Sequence, residues 1–350
     1  MLDLNNTLLI GSKNGPEEPG IFLYRGQEKV LDANGVEAPG YLAPSKSRAW
    51  LYAISVNDGD EQTDSGAIAA LKLEGDTYRL VNQESVRGAG PTHVHYAEDL
   101  GILLVSNYGG GSVSLHPVGE NGEVKPLADY HVHEGSGPNP DRQDAPHVHF
   151  VGPSADPYGF YAVDLGTDTL YYYEYEADGV KLIPRPEKNL QAPAGSGPRH
   201  YVLDSENPHI LYVLCELSSE MLVLDSSQAG TEGAQLQLIS MLPEDCDTES
   251  KAGAIKLSPD GKFLYGTNRG YDSIAVFSVD AGSDEPLNCV QVAKLHADHP
   301  RDMYVGEDVV YTANLESNSI SLLDRDVESG KLSNPREIIS INEPSFVKIL

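Results

Sequence analysis

Short β-prone apolar runs alternate with polar and small residues along the whole chain. One unit recurs: an apolar run, a turn, a second apolar run. The copies read LLIGSKNGPEEPGIFLY from Leu8, LYAISV from Leu51, LLVSNYGGGSVSLH from Leu103 and FYAVDLGTDTLYYYEY from Phe160. They continue as LYVLCELSSEMLVLD from Leu211, FLYGTNRGYDSIAVFSVD from Phe263 and VVYTANLESNSISLLDRD from Val309. The seven starts lie 43 to 57 residues apart, the length of one four-stranded propeller blade. In the second copy a polar stretch, residues 57–65, precedes AIAALKLEG; it reads as a longer loop inside an intact blade. Most copies follow another strand and a tight turn, clearest at Ser258-Pro259-Asp260-Gly261. The pattern predicts an all-β fold: a seven-bladed β-propeller of four-stranded antiparallel blades, with residues 1–350 as a single domain. Two stacked β-sandwiches fit seven near-equal repeats poorly. The tail INEPSFVKIL is expected to pair near the N-terminus and close the ring, removing free sheet edges.

This register supplies a coordinate system. The first two strands of a blade, A and B, are antiparallel, so A starts and B ends lie at one end. Strand A is innermost, so those positions from all blades converge on one mouth of the central channel. The A starts carry His93 and His95, His147 and His149, Arg199 and His200, and His299 with Arg301. The B ends carry Asn107 and Tyr108, Asp164, Glu216, Asn268 with Arg269, and Asn314 with Glu316. Gly109, Gly110, Gly111, Gly166 and Gly270 accompany them, where a ligand or another backbone can approach closely.

Charge sharpens the picture. The chain has 24 Lys plus Arg against 53 Asp plus Glu, a formal charge of −29. That surface repels nucleic acid and anionic membranes, and an anionic substrate needs a local cluster of the scarce basic residues. Arg199, Arg269 and Arg301 at the channel mouth offer one, suited to a phosphate or carboxylate and to charge on a reacting oxygen; salt bridges between blades are the structural alternative. Three dispersed cysteines, Cys215, Cys246 and Cys289, exclude a disulfide scaffold, and Cys215 reads as a small buried apolar residue. The N-terminus lacks the apolar core of a signal peptide, and no run spans a bilayer. The expectation is a cytoplasmic monomer or simple homo-oligomer.

The triplet His-Val-His occurs at 93–95, 131–133 and 147–149. Residues i and i+2 of a strand share a face, so each pair could bind a metal, but no carboxylate–histidine set of familiar spacing completes a site. One His from each channel pair serves better as acid/base or hydrogen-bond donor. The pair at 131–133, before a Gly/Pro loop, is expected on the surface. Glu216 beside arginines reads as a general base, a substrate ligand or an orienting partner of Arg199. NYGGGS lacks a phosphate-loop ending, and no GxSxG, HExxH or dinucleotide fingerprint is present.

The ordered segments APGYLA, GPTHVH, SNYGGGSVS, QDAPHVHF with VDLGTD, GSGPRH, ELSS, LSPDGKFLYGTNRGYDSIAVF and HPRDM resemble the seven-bladed propeller lactonases. That family includes bacterial propeller-type 6-phosphogluconolactonases and, more distantly, fungal carboxymuconate-lactonizing enzymes. The resemblance implies hydrolysis of a small anionic sugar lactone, 6-phosphoglucono-δ-lactone, in the pentose phosphate pathway, with no metal or organic cofactor. It places the catalytic set on His149, Glu216, Arg199 and Arg269, with His149 as base toward water and an arginine at the oxyanion. Substrate contacts are expected from His93, Asn107, Tyr108, His147, Asp164, His200, Asn268 and Arg301. Ser55 and Val56 depart from an acidic residue common in the family's second blade, and Leu315 and Glu316 from its usual seventh-blade sequence. Cycloisomerisation of a carboxymuconate and a non-catalytic interaction platform are the alternative readings.

Overall fold

The computed structural model describes residues 6–15, 17–56 and 66–350. Seven antiparallel sheets form in chain order, each of four strands, the fourth blade adding a two-residue strand at Leu190–Gln191. The ring closes as the tail predicts. The innermost strand of blade 1 is the C-terminal Pro344–Ile349, paired antiparallel with Leu8–Ser12. The expected loop at residues 57–65 lies outside the described residues, but the strands flanking it, Trp50–Val56 and Gly66–Glu74, pair along their length. Helix among the described residues is confined to three-residue 3₁₀ turns.

The B strands are apolar throughout because both faces of every sheet are covered. In Ile210–Cys215, Leu211, Val213 and Cys215 pack against blade 4, while Ile210, Tyr212 and Leu214 pack against blade 6. Alternation along a strand therefore divides residues between two cores. Seven such clusters, one between each pair of neighbouring blades, hold the ring. Truncating Leu211 or Leu222 to Ala would cost about 2–5 kcal/mol. The turn after Leu257 closes as its sequence predicts: Gly261 N–H donates to Ser258 O at 2.9 Å, with φ +71° at Gly261, a backbone state that favours glycine.

Six A strands share one irregularity. The register slips by a residue after Pro91, Val148, Pro198, Pro300 and Pro344, and similarly after Ala252. A β-bulge re-aims the extra side chain. The bulged residues are Thr92, His149, Arg199, Arg301 and Ser345, with Gly253 in blade 6. The next position in the same five strands carries His93, Phe150, His200, Asp302 and Phe346. Two layers of side chains are thus stacked along the channel.

Candidate active site

The bulge layer and the residues just past the B strands build one cleft. Asn107, Asp164, Cys215, Asn268 and Asn314 pair with the same strand C position in their blades. The residues following them are Tyr108, Leu165, Glu216, Arg269 and Leu315. Tyr108, Glu216 and Arg269 line a cleft of about 350 Å³ together with His149, Arg301, Thr92, Lys13 and Arg142.

Glu216 is the hub. Its Oε1 accepts from Arg142 Nη2 at 2.6 Å, and its Oε2 lies 2.8 Å from Arg269 Nη2 and 3.3 Å from Arg199 Nε. Burial opposes ionisation of this carboxyl, but Arg269 and Arg199 outweigh it. The Arg142 hydrogen bond adds to them, and Glu216 is held well below the usual carboxylate range. Arg199 Nη1 donates to His149 Nε2 at 2.7 Å. An imidazole that accepts there is neutral. Burial first, then Arg199, push His149 well below its ordinary value.

Arg269 fits because blade 6 has no side chain at its bulge. A Cβ on Gly253 would sit 2.7 Å from Pro300 O and 3.5 Å from Arg269 Cδ. Into that space Arg269 extends, donating from Nε and Nη2 to Ala252 O at 3.2 and 2.6 Å. Arg301 has no carboxylate partner among the described residues. Burial and Arg269 lower it to about 10, so it stays charged at neutral pH. Four guanidinium groups against one carboxylate leave a positive mouth on a chain of formal charge −29.

Arg142 was not legible in the motif reading. It stands in the loop before strand A of blade 4, the excursion NPDRQDAP. That loop is anchored by fully buried Gln143, whose Nε2 donates to Leu165 O and Asp168 Oδ1, both at 2.8 Å. Its guanidinium also donates to Tyr108 Oη at 3.3 Å. The available signal was a scarce basic residue seven positions before His149.

The structure brings together His149, Glu216, Arg199, Arg269, Tyr108 and Arg301. The other expected substrate contacts are placed elsewhere. Asn107 and Asn268 are fully buried, donating to Ser112 and Ser114 and to Ser273 and Met241 respectively. They tie strands together rather than face the cleft. Asp164 accepts from the backbone N–H groups of His147, Gly166 and Thr167 and pairs with His133 Nδ1 at 2.7 Å. His133 is therefore buried, not on the surface as its Gly/Pro surroundings suggested. His147 stacks on Tyr108 with ring centroids 4.5 Å apart and donates to its carbonyl, buttressing the wall from behind. His93 and His200 belong to the layer below. Gly111 and Gly166 admit backbone rather than ligand: an added Cβ would meet Pro146 O and Ala145 O. Cys215 is fully buried, as expected. Among the described residues no group of three or more His, Cys, Asp or Glu could hold a metal ion, and no helix is long and apolar enough to cross a membrane.

The profile of the family described as "Lactonase, 7-bladed beta-propeller" matches residues 9–349. The chain belongs to the seven-bladed propeller lactonase family. A Bacillus subtilis (strain 168) relative named 6-phosphogluconolactonase is 34% identical over 347 residues, covering 97% of this chain and 96% of its own. One of the same name from Formosa agariphila is 30% identical, covering 90% and 89%. Among solved structures, the periplasmic gluconolactonase PpgL of Pseudomonas aeruginosa superposes with a TM-score of 0.85 at 25% identity, over 98% of both chains. In this lactonase the bulged residues Thr92, His149 and Arg301, together with Glu216 and the loop arginine Arg142, line the upper cleft.

Proposed function

We propose that the protein hydrolyses 6-phosphoglucono-δ-lactone to 6-phosphogluconate. The observation that carries this reading is the cleft's division of charge. Three arginines share Glu216, while Arg301 faces the same space with no carboxylate of its own. An anionic tail and a carbonyl that gains negative charge need two such poles.

In this reading the phosphate meets Arg301, with Lys13 at the rim. The lactone carbonyl lies toward Arg142 and Arg269. Water attacks C1, the carbonyl oxygen takes up charge against the guanidinium groups, and the bond from C1 to the ring oxygen breaks. The ring oxygen receives a proton, and the product leaves as an open-chain carboxylate. His149 is neutral, as a base must be, and its Nε2 is occupied by Arg199 before substrate arrives. Attraction of Arg199 toward the developing oxyanion frees that nitrogen for the water proton. Glu216 does not take the proton: a carboxylate held by three arginines is too weak a base. It keeps the arginines oriented and partly neutralised.

The test is acid release from 6-phosphoglucono-δ-lactone generated in situ, measured above the spontaneous rate. Saturable acceleration is expected. A protein that leaves the spontaneous rate unchanged, or that is active on a carboxymuconate instead, overturns the reading.

A further inference from the structure

Below the catalytic layer the channel narrows to a neck of about 20 Å³ between Thr92, His149, Arg199, His200, Arg301 and Asp302. It then widens into a lower chamber of about 520 Å³, larger than the upper cleft. All seven inner strands line this chamber. None of the chemistry proposed above uses it.

One side of the chamber is an unbroken aromatic arc. Successive ring centroids are 4.9 Å apart for Phe346 and Tyr41, 4.3 Å for Tyr41 and His93, 4.1 Å for His93 and Phe150, and 5.0 Å for Phe150 and His200. The other side is charged. Lys256 Nζ lies 3.5 Å from Asp302 Oδ1, and Lys348 stands on the adjacent innermost strand of blade 1, exposed toward the opening. Two ammonium groups against one carboxylate make the chamber positive. At the neck that roofs it, buried His200 Nε2 has no hydrogen-bond partner among the described residues, and Asp302 Oδ1 meets only Lys256 Nζ, at 3.5 Å. Asp302 Oδ2 accepts from Val347 N–H at 3.1 Å, so a further donor can be met only at Oδ1, beside Lys256.

Buried polar atoms are rarely left unpaired, and a space of this size with apolar walls and a few convergent polar groups is the usual form of a small-molecule site. We propose that the lower chamber binds a small polyhydroxylated anion of the sugar-acid class. Its carboxylate meets Lys256 and Lys348. Its carbon backbone lies against the aromatic arc. Its hydroxyls reach the roof, where a hydroxyl can donate to Asp302 Oδ1 and either donate to or accept from neutral His200. A simple fatty acid offers the charge but leaves the roof unpaired. A neutral sugar satisfies the roof but leaves the surplus ammonium group without a partner. The proposal stands on the chamber's own groups and does not require the lactone chemistry. Occupancy would nevertheless be felt at the catalytic layer, because the His200 ring packs edge-on to His149 at 5.1 Å.

The test is calorimetric titration with D-gluconate of a protein whose upper cleft is disabled by Arg142→Gln and Arg301→Gln together. One site per chain is expected to remain. Adding Lys348→Glu, which reverses an exposed charge, should weaken that site about tenfold or more. Adding Lys256→Gln with Asp302→Asn, which removes the pair together, should abolish it. Lys348→Glu alone should leave lactone turnover at the wild-type value. Absence of binding to the upper-cleft double variant overturns the proposal, as does binding that Lys348→Glu leaves unchanged. If the Lys256/Asp302 variant does not fold, Lys348→Glu still decides. Wild-type lactone hydrolysis is measured apart from these titrations, so failure of one reading is not failure of the other.

Discussion

Strand A of blade 3 and strand A of blade 4 each carry His-Val-His, at 93–95 and 147–149, and they use it differently. In blade 3 the bulge falls on Thr92, so His93 is the residue after it and joins the lower layer. In blade 4 the bulge falls on His149, which is thereby turned into the upper cleft against Arg199. The residue after it is Phe150, the counterpart of His93. Identical triplets in neighbouring repeats thus differ in function because they are offset against a backbone irregularity. What a side chain meets is set by its place relative to the bulge, not by its triplet. The same holds around the ring: Arg199 and Arg301 are bulge residues, while His200 and Asp302 lie one position further on.

The largest effect that would sharpen this contrast concerns the hub of the bulge layer. Glu216→Gln removes the carboxylate from three guanidinium groups, two of them in buried side chains. Breaking a buried ion pair by deleting one partner costs about 3–5 kcal/mol. A marked fall in the denaturation midpoint is expected, together with loss of turnover. A variant as stable as the wild type would show that the arginines need no counter-charge.

Next in size is the direct comparison of the two triplets. His149→Ala should lower kcat/KM by on the order of 10²-fold or more if it acts as the base. His93→Ala, made in the layer below, should leave kcat/KM within about threefold. Steady-state hydrolysis, corrected for the spontaneous reaction, separates the two. Equal losses would break the comparison, since the bulge would then not be what distinguishes them.

How much of this was legible in the sequence follows from the same feature. The seven repeats, their strand order and closure by INEPSFVKIL are properties of apolar periodicity and turn residues, and these act locally. The convergence of His149, Arg199, Arg269 and Glu216 followed from placing A starts beside B ends, reinforced by family motifs. A bulge has no such signature. It inserts one residue without changing the alternation enough to be read, so His93 and His149 looked alike, and Asn107, Asp164 and Asn268 looked cleft-facing when they hold strands together. Arg142 reaches Glu216 from a loop, where no periodicity assigns direction. His133 looked exposed because its buried partners, Asp164 and Tyr173, are 31 and 40 residues away.

A smaller effect separates the arginines within the upper layer. Arg301→Gln should raise KM for 6-phosphoglucono-δ-lactone roughly tenfold or more, a loss of about 1.4 kcal/mol per decade, and leave glucono-δ-lactone, which lacks the phosphate, nearly unchanged. Arg142→Gln should impair both lactones alike, since its expected contact is the carbonyl that they share. Parallel losses on both lactones in Arg301→Gln would remove the phosphate from that arginine.

The smallest effect is a displacement along the pH axis, and its direction distinguishes the two layers again. His149 faces Arg199, Glu216, Arg269 and Arg301, with His200 beneath it and Tyr108 edge-on. Burial lowers its pKa first, Arg199 lowers it further, and Glu216 opposes them only in part. A base with a lowered pKa stays unprotonated to lower pH, so the acid limb of kcat/KM should lie below the 6.5 of a free imidazole. Glucono-δ-lactone is the suitable substrate, because a phosphate titrates near pH 6 and would overlay its own limb. Arg199→Gln removes a cation beside the ring, so the limb should move upward toward 6.5 even as the maximal rate falls. His93 is also lowered, by burial first, but it lies outside the upper layer, and His93→Gln should leave the profile where it was. A wild-type limb at or above 6.5, or one that shifts with His93 rather than with Arg199, would place the titrating base in the wrong layer and undo the distinction that the bulge draws.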